Sequence, residues 1–452
     1  MRRQLLFQRT FIHGAGMATW QRNLVFVWFS QFFSIAGFSL CLPFAPFYIQ
    51  QLGVTDPDAV KFWASLSQAA TGVSLAIMAP LWGALADRYG RKLMMLRANF
   101  CAVIVLAAMG FAPNAQVFVL LRFVQGAFTG TMNAAMTFVA TSAPRERHGM
   151  ALGTLSAAVF SGVMLGPTIG GVLADTIGYR STFLTSSVLL LLSALVVLFA
   201  VSENFVPPSQ ASNKRLSKAR DRWNEWGSYA PLQYAQFYLT SSAKSLRQWV
   251  AGIGPYAPLL LLLFCMAAAR SFDQPILPLY VQQLHGALQG ASRWTGLING
   301  VGAVGAMLAG VFLGRLADRV APPTIGKLSG AGAALCMFAT GLAASLWALF
   351  PLRFLYAFCA GGLDPVFQVW LSKTTPEHRR GAIFGWSVTA KSAGWSLSPL
   401  MSGGVAVWLG IREVFVVGPL LFLALIPLIH LVSKRVVSAD EESLEEAEVP
   451  VS

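Results

Sequence analysis

Pro43-Phe44-Ala45-Pro46-Phe47-Tyr48-Ile49-Gln50-Gln51-Leu52 returns, 232 residues later, as Pro275-Ile276-Leu277-Pro278-Leu279-Tyr280-Val281-Gln282-Gln283-Leu284. Six of the ten positions are identical and the other four stay apolar. The same register, within one residue, runs through the rest of the chain. Trp63 repeats as Trp294, and Gln68 as Asn299. Gly83-Ala84-Leu85-Ala86-Asp87-Arg88 repeats as Gly314-Arg315-Leu316-Ala317-Asp318-Arg319, and Leu121-Arg122-Phe123 as Leu352-Arg353-Phe354. Gly149, Gly153 and Pro167 repeat as Gly381, Gly385 and Pro399. A register kept over so many positions marks an internal duplication into two halves read in the same direction.

Composition says where such a chain can live. Of 452 residues, 55% are hydrophobic and only 12% charged, with a mean hydropathy of +0.59. A soluble globular chain carries about 25% charged residues, and a disordered one is poorer still in apolar side chains. The five cysteines, Cys41, Cys101, Cys265, Cys336 and Cys359, all lie in apolar stretches without C-x-x-C spacing. That argues against a disulfide framework and a zinc site, and the scattered histidines form no metal motif. No catalytic triad order or phosphate loop stands out, so neither enzyme activity, cofactor nor metal is expected. The net charge of +14 could suggest nucleic acid. The positive residues sit instead in short loops between apolar runs, which is the pattern of a multispanning membrane protein. No cleavable signal peptide is evident, because the first apolar run is too long for one.

A helix needs about 20 apolar residues to cross the hydrocarbon core. Twelve stretches qualify: 24–49, 62–86, 93–112, 117–141, 149–174, 182–202, 257–284, 294–317, 324–346, 350–372, 382–408 and 414–432. In lipid only helices and closed barrels satisfy the backbone, and stretches this long and continuously apolar are expected to be helices. The expected fold is an all-α membrane protein with twelve transmembrane helices in two pseudo-symmetric six-helix bundles. Residues 1–203 form the first bundle, 204–256 a central loop, 257–433 the second bundle and 434–452 an acidic tail.

Even numbering puts both termini on one side. That side, with the central loop, carries 25 of the 33 Lys and Arg residues. The opposite side carries four, Lys61, Arg180, Arg293 and Arg412, and four more lie within spans. Positive residues stay in the cytoplasm, so both termini are expected inside, in a bacterial inner membrane. In the central loop, Lys214, Arg215, Lys218, Arg220 and Arg222 precede Trp223, Trp226 and Trp249. This reads as a linker lying partly on the anionic inner leaflet. The tail holds six carboxylates between Asp440 and Glu448 and is expected to be solvated and disordered.

Two parallel six-helix halves can rock about a shared site so that it faces either side of the membrane in turn. A channel needs no such alternation. Three motifs sharpen this reading. Gly83-Ala84-Leu85-Ala86-Asp87-Arg88-Tyr89-Gly90-Arg91-Lys92 joins spans 2 and 3. There Gly90 permits a tight turn, and Asp87 with Arg88, Arg91 and Lys92 can latch loops together by charge. Arg122-Phe123-Val124-Gln125-Gly126 lies in span 4. Gly162-Val163-Met164-Leu165-Gly166-Pro167-Thr168-Ile169-Gly170-Gly171 lies in span 5. Glycines four apart allow close helix packing, and Pro167 removes a backbone hydrogen bond and bends the helix.

On these residues the chain resembles the major facilitator superfamily over nearly its whole length. Within it, the resemblance is to the 12-helix drug:proton antiporters, bacterial multidrug efflux pumps of the tetracycline-exporter kind. The resemblance implies that the first motif closes the cytoplasmic side in one conformer, that Arg122 serves proton coupling, and that the span-5 pattern marks an antiporter. The copy at 314–319 loses the later glycine and basic residues to Ala321-Pro322-Pro323, and the copy near Pro399 loses glycines.

Ionisable residues inside a span cost at least ~2.5–3.5 kcal/mol each and are functional candidates. Six occur here: Arg122 in span 4, Arg270 and Asp273 in span 7, Arg353 and Asp364 in span 10, and Lys391 in span 11. Spans 3, 6, 9 and 12 hold none within their cores. The resemblance implies that spans 1, 4, 7 and 10 line the cavity and that 3, 6, 9 and 12 face lipid. Arg122 either serves coupling or snorkels to the surface, and the same two readings stand for Arg353. Arg270 and Asp273, three apart on one helical face, form a self-neutralising pair, or Asp273 carries the proton. Asp364, at the repeat position of Asn133, ranks equal to Asp273 as proton site. Four cations against two carboxylates favour neutral, zwitterionic or anionic amphiphiles over organic cations. Gln31, Gln68, Gln125, Asn133, Asn299 and Gln368 can bond substrate or neighbouring helices. Trp28, Phe32, Phe38, Phe272, Phe367 and Trp370 can form an apolar wall or face lipid.

The function expected is proton-coupled efflux of a small amphiphilic substrate by a monomer in the lipid bilayer, without nucleic acid. The rivals are a proton-coupled symporter of a metabolite and a transporter-like sensor without flux.

Overall fold

A computed structural model of the chain describes residues 18–144, 147–203, 256–317, 319–375 and 380–448. The expectations for the basic, Trp-containing loop, for Asp318 and for the side chain of Asp87 lie outside the described residues. Each predicted span is occupied by helix. The unbroken crossings are α2 (Pro57–Tyr89), α3 (Arg91–Gly110), α5 (His148–Ile177), α6 (Tyr179–Ala200), α8 (Ala291–Leu316), α9 (Pro322–Gly341), α11 (Arg380–Trp408) and α12 (Val414–Glu448).

Spans 1, 4, 7 and 10 are not the continuous helices expected from their hydropathy. Each is two helices end to end: α1a (Thr19–Cys41) and α1b (Ala45–Gln51), α4a (Ala115–Phe128) and α4b (Thr131–Ser142), α7a (Ala257–Ser271) and α7b (Leu277–His285), and α10a (Leu346–Gly361) and α10b (Leu363–Thr374). The causes are local. Pro43 and Pro46, like their repeats Pro275 and Pro278, lack the N–H that would continue the ladder. Gly130 breaks span 4 with φ 123°, a conformation that side chains other than glycine rarely adopt. Gly361-Gly362 interrupts span 10. Among the described residues, eight helical stretches are long and apolar enough to cross a membrane by length and composition. Crossings 4, 7, 9 and 11 are not among them, the first two because none of their halves exceeds 15 residues.

The duplication persists in the hydrogen bonds. The Tyr48 hydroxyl donates to the carbonyls of Met109 (2.8 Å) and Gly110 (3.2 Å) at the end of α3. Its repeat mate Tyr280 donates to Thr340 (3.0 Å) and Gly341 (3.3 Å) at the end of α9. Both satisfy carbonyls that a helix C-terminus leaves unpaired. Asn114 caps α4a at Val117 N, and the residue 231 positions later, Ser345, caps α10a at Ala348 N. Repeat mates Ile104 on α3 and Leu335 on α9 are 68% and 69% exposed. Each half thus carries a strongly exposed apolar side chain at the matching place.

Two expectations change here. The acidic tail continues α12 to Glu448. No glycine or proline stands between Lys434 and Glu448 to stop the helix, and Glu, Leu and Ala are good helix formers. Span 3 does hold a cation: Arg97 lies 3.4 Å over the Trp82 ring and donates to the carbonyls of Phe128 and Thr129, where α4a ends. A cation there answers the negative end of the helix dipole.

The turn between α2 and α3 rests on Gly90, with φ 91°. Glu203, just past α6, accepts from the Arg91 N–H (2.9 Å) and the Lys92 N–H (2.8 Å). Its carboxylate thus caps the first turn of α3, while Lys92 Nζ donates to Leu198 and Val201 carbonyls. Glu203→Ala is expected to destabilise the chain by about 1–2 kcal/mol through loss of this cap. Thermal unfolding of the purified protein measures it, and Glu203→Gln should recover part of the loss.

Candidate functional site

The halves meet on the side opposite the termini, and they meet backbone to backbone. Gly171 on α5 lies against Ser292 on α8, Gly296 against Pro167, and Gly300 against Thr168. On the other flank Gly72 and Gly403 receive Ser396 and Ser65, joining α2 to α11. The Tyr179 hydroxyl bonds Ser292 Oγ at 2.6 Å, and the Arg293 N–H donates to Asp175 at 3.0 Å. Gln50 and Gln282, repeat mates from the opening stretch, exchange amide hydrogen bonds of 2.8 and 3.0 Å across the pseudo-twofold axis. At the terminal ends of the same helices the picture inverts. A Cβ built on Gly83, Gly149, Gly153, Gly314 or Gly385 would meet nothing within 4 Å. This conformer is closed on the far side and open on the terminal side.

The span-5 motif is therefore a packing device with two faces. Gly162, Gly166 and Gly170 seat α5 on Ile35–Leu40 of α1a, while Gly171 and Pro167 seat it on α8 of the other half. A Cβ at Gly170 would collide with the Leu40 carbonyl.

Above the closure lies a cavity of about 420 Å³ lined from both halves, including Phe38, Gln68, Arg122, Gln274, Asn299, Arg353, Tyr356 and Trp395. Gln68 and Gln274 bond across it at 2.7 Å. A second space of about 460 Å³ shares Gln274 and Trp395 with the first and adds Arg270, Asp364 and Lys391. Five of the six predicted membrane charges thus line one or the other of two neighbouring spaces. The sixth, Asp273, is fully buried behind the wall.

Pairing differs from the expected i, i+3 pair. Asp273 is bonded to Arg353 Nη1 of α10a, and the Tyr356 hydroxyl reaches its other oxygen at 3.5 Å. Arg270 does not pair with it because α7a ends at Ser271, between the two residues. Asp364 pairs with Lys391 of α11 at 3.0 Å, in a more open setting: their side chains are 37% and 23% exposed. Arg122 is 4% exposed. Its Nη1 donates to Gln125 Oε1 at 2.8 Å, and its Nε has no partner among the described residues. Among the described residues, Arg122 and Arg270, one in each half, have no carboxylate partner.

Other expectations sort by position. Gln68 and Asn299 line the cavity, as does Phe38. Phe272, Phe367 and Trp370 pack instead inside the second half's core. Gln31 is fully buried with neither amide atom paired among the described residues. Exposed Asn133 on α4b lines neither space. Sequence reading missed Tyr356, Gln274, Trp395, Arg97 and Glu203. Tyr356 had a signal, since it stands at the repeat position of Gln125 within the span-4 motif.

Comparison with known proteins now joins this geometry. The family model described as Major Facilitator Superfamily matches residues 27–343 and 259–452. The chain belongs to this superfamily. As a member it is a secondary transporter in the membrane, not an enzyme. The protein named multidrug resistance protein MdtG from Salmonella paratyphi A (strain ATCC 9150 / SARB42) is 34% identical over 408 residues, covering 90% of this chain and 94% of that one. The MdtG of Rahnella sp. (strain Y9602) is 34% identical over 398 residues, covering 88% and 90%. Among solved structures, a bacterial homolog to the human lysosomal transporter Spinster, in an inward-facing and unoccupied conformation, matches with a TM-score of 0.69 at 15% identity. That match covers 94% of this chain and 99% of the other. A POT family transporter in complex with a thioalcohol conjugated peptide matches with a TM-score of 0.70 at 13% identity, covering 93% and 100%. At such identities these two likenesses speak to the fold alone.

Proposed function

We propose that this superfamily member is a proton-driven exporter of small amphiphilic compounds, a monomer with both termini in the cytoplasm. The orientation rests on the excess of Lys and Arg on the terminal side. On that reading the open face of the cavity is the cytoplasmic one, where an exporter loads. The single observation that carries the mechanism is the buried Asp273–Arg353–Tyr356 cluster at the cavity floor, next to the far-side closure. A proton on Asp273 cancels the carboxylate charge and releases Arg353 from its pair, so protonation and closure share one element. The cluster joins α7 to α10a, the latter packed on α8 through Gly305. Asp273 is the better proton carrier than Asp364, whose pair with Lys391 is partly hydrated and changes less on protonation. The multidrug resistance names of the relatives support a drug-like substrate.

Everted membrane vesicles test this. With the lumen acidified, drug is expected to accumulate inside while lumenal protons leave. Binding without proton movement would make the chain a sensor, and drug driven out of the vesicles by the same gradient would make it a symporter. Either outcome overturns the proposal. An epitope at the N-terminus should be protease-sensitive in everted vesicles and protected in intact cells.

A further inference from the structure

The repeat places Cys41 of the first half on Asp273 of the second, 232 residues apart, and Arg122 and Gln125 on Arg353 and Tyr356, 231 apart. In the second half all three residues form one cluster. The first half keeps the cation and a polar residue three positions on, with a thiol at the acid's position. Arg122 bonds Gln125, and Cys41, 1% exposed, donates its thiol to the Gly37 and Phe38 carbonyls of its own helix. The pseudo-symmetric partner of a carboxylate is thus a thiol. Both arginines line the same cavity, while Cys41 and Asp273 stand behind them and do not. Arg353 meets the cavity already neutralised. Arg122 meets it with its charge uncompensated and its Nε unpaired among the described residues.

We infer that Arg122 is the seat for an anionic head group of the substrate, and that Cys41 sets this preference by withholding the carboxylate that its repeat position carries. The inference rests on the transporter reading above and deepens it. The two halves divide the work of one repeated constellation: the second carries the acid and handles protons, and the first carries a thiol in its place and handles the substrate's charge. A buried cation gains most from an anion that also accepts its hydrogen bonds. Phe38, Leu42 and Pro43 beside Arg122 supply apolar wall for the rest of an amphiphile.

The test is equilibrium binding to the purified full chain in nanodiscs, at one pH and without a gradient. The probes are 2-naphthalenesulfonate and 2-naphthyltrimethylammonium, which share a ring and differ in the sign of the head group. The wild type is expected to prefer the sulfonate by about tenfold or more, as a charge-assisted contact implies. Cys41→Asp should abolish that preference, Cys41→Ser should keep it, and Arg122→Gln should lose it. If Cys41→Asp does not fold, Arg122→Gln decides alone. A wild type that prefers the ammonium overturns the inference. So does a Cys41→Asp or Arg122→Gln protein that keeps the sulfonate preference, which would move the seat to Arg270. Failure of proton-driven uptake with the sulfonate pattern intact would sink only the transport reading.

Discussion

Asp273→Asn is expected to abolish substrate-coupled proton movement and to destabilise the chain by about 3–5 kcal/mol, the loss that follows when one partner of a buried ion pair is removed. The reason is the environment of Arg353. Its guanidinium points at a carboxylate that is fully buried between α7 and α10a, and Tyr356 stacks beside it with its ring 4.8 Å from the guanidinium carbon. An amide cannot neutralise it. The double variant Asp273→Asn/Arg353→Met removes both charges and should recover most of the stability, because no unpaired ion remains. It should not recover coupling, since no group is left to carry the proton. That split separates a functional from a merely structural ion pair. Proton movement in vesicles and thermal unfolding in detergent are the two measurements. Asp364→Asn serves as contrast. Its pair with Lys391 is partly hydrated, so the expected destabilisation is about 1 kcal/mol or less and coupling should survive. If Asp364→Asn stops proton movement and Asp273→Asn does not, the proton site lies at α10b and the assignment is reversed.

The fold was legible because lipid imposes it. Apolar length fixes where helices run, and a register of repeats from Pro43 to Pro399 fixes that there are two bundles. Legibility fails where a local residue overrides hydropathy. Span 4 reads as one crossing by hydropathy, yet Gly130 at φ 123° divides it. Pro43, Pro46, Pro275 and Pro278 stand at the breaks in spans 1 and 7, where hydropathy alone runs on without interruption. Among site residues, chemical identity could be read but pairing could not. Arg270 and Asp273 sit three apart in sequence, and only the end of α7a at Ser271 reveals that they do not share a continuous helix. Arg353 and Asp273 are 80 residues apart, a distance that no local pattern bridges. The repeat was the one tool able to predict such pairs, for it maps the second half's acid, cation and phenol onto Cys41, Arg122 and Gln125.

Gly296→Val is expected to open the far side and stop transport. A Cβ at Gly296 would overlap the Pro167 carbonyl and press on Gly171, so α5 and α8 cannot approach as they do here. Overpacking a tight contact costs about 1–3 kcal/mol, enough to shift a two-state equilibrium by about fivefold to over a hundredfold. The penalty falls only on the conformer in which these backbones touch. A reporter Gln68→Cys, placed on the cavity wall in a chain stripped of its five native cysteines, reads the outcome. Membrane-impermeant thiol reagent added from the far side should label it slowly with glycine at 296 and at least several-fold faster with valine. Gly314→Val should do the opposite. Nothing lies within 4 Å of that position here, so the present conformer accepts the side chain. Closure of the terminal side must bring the two halves together around such glycines, and valine there would hold the terminal side open. Labelling from the far side should then fall below that of the parent. Two valines, one on each end of α8, acting with opposite sign is the signature of a rocking pair of bundles. Two variants that shift the reporter in the same direction would mean that α8 merely loosens, and that alternating closure of the halves is not how this cavity changes face.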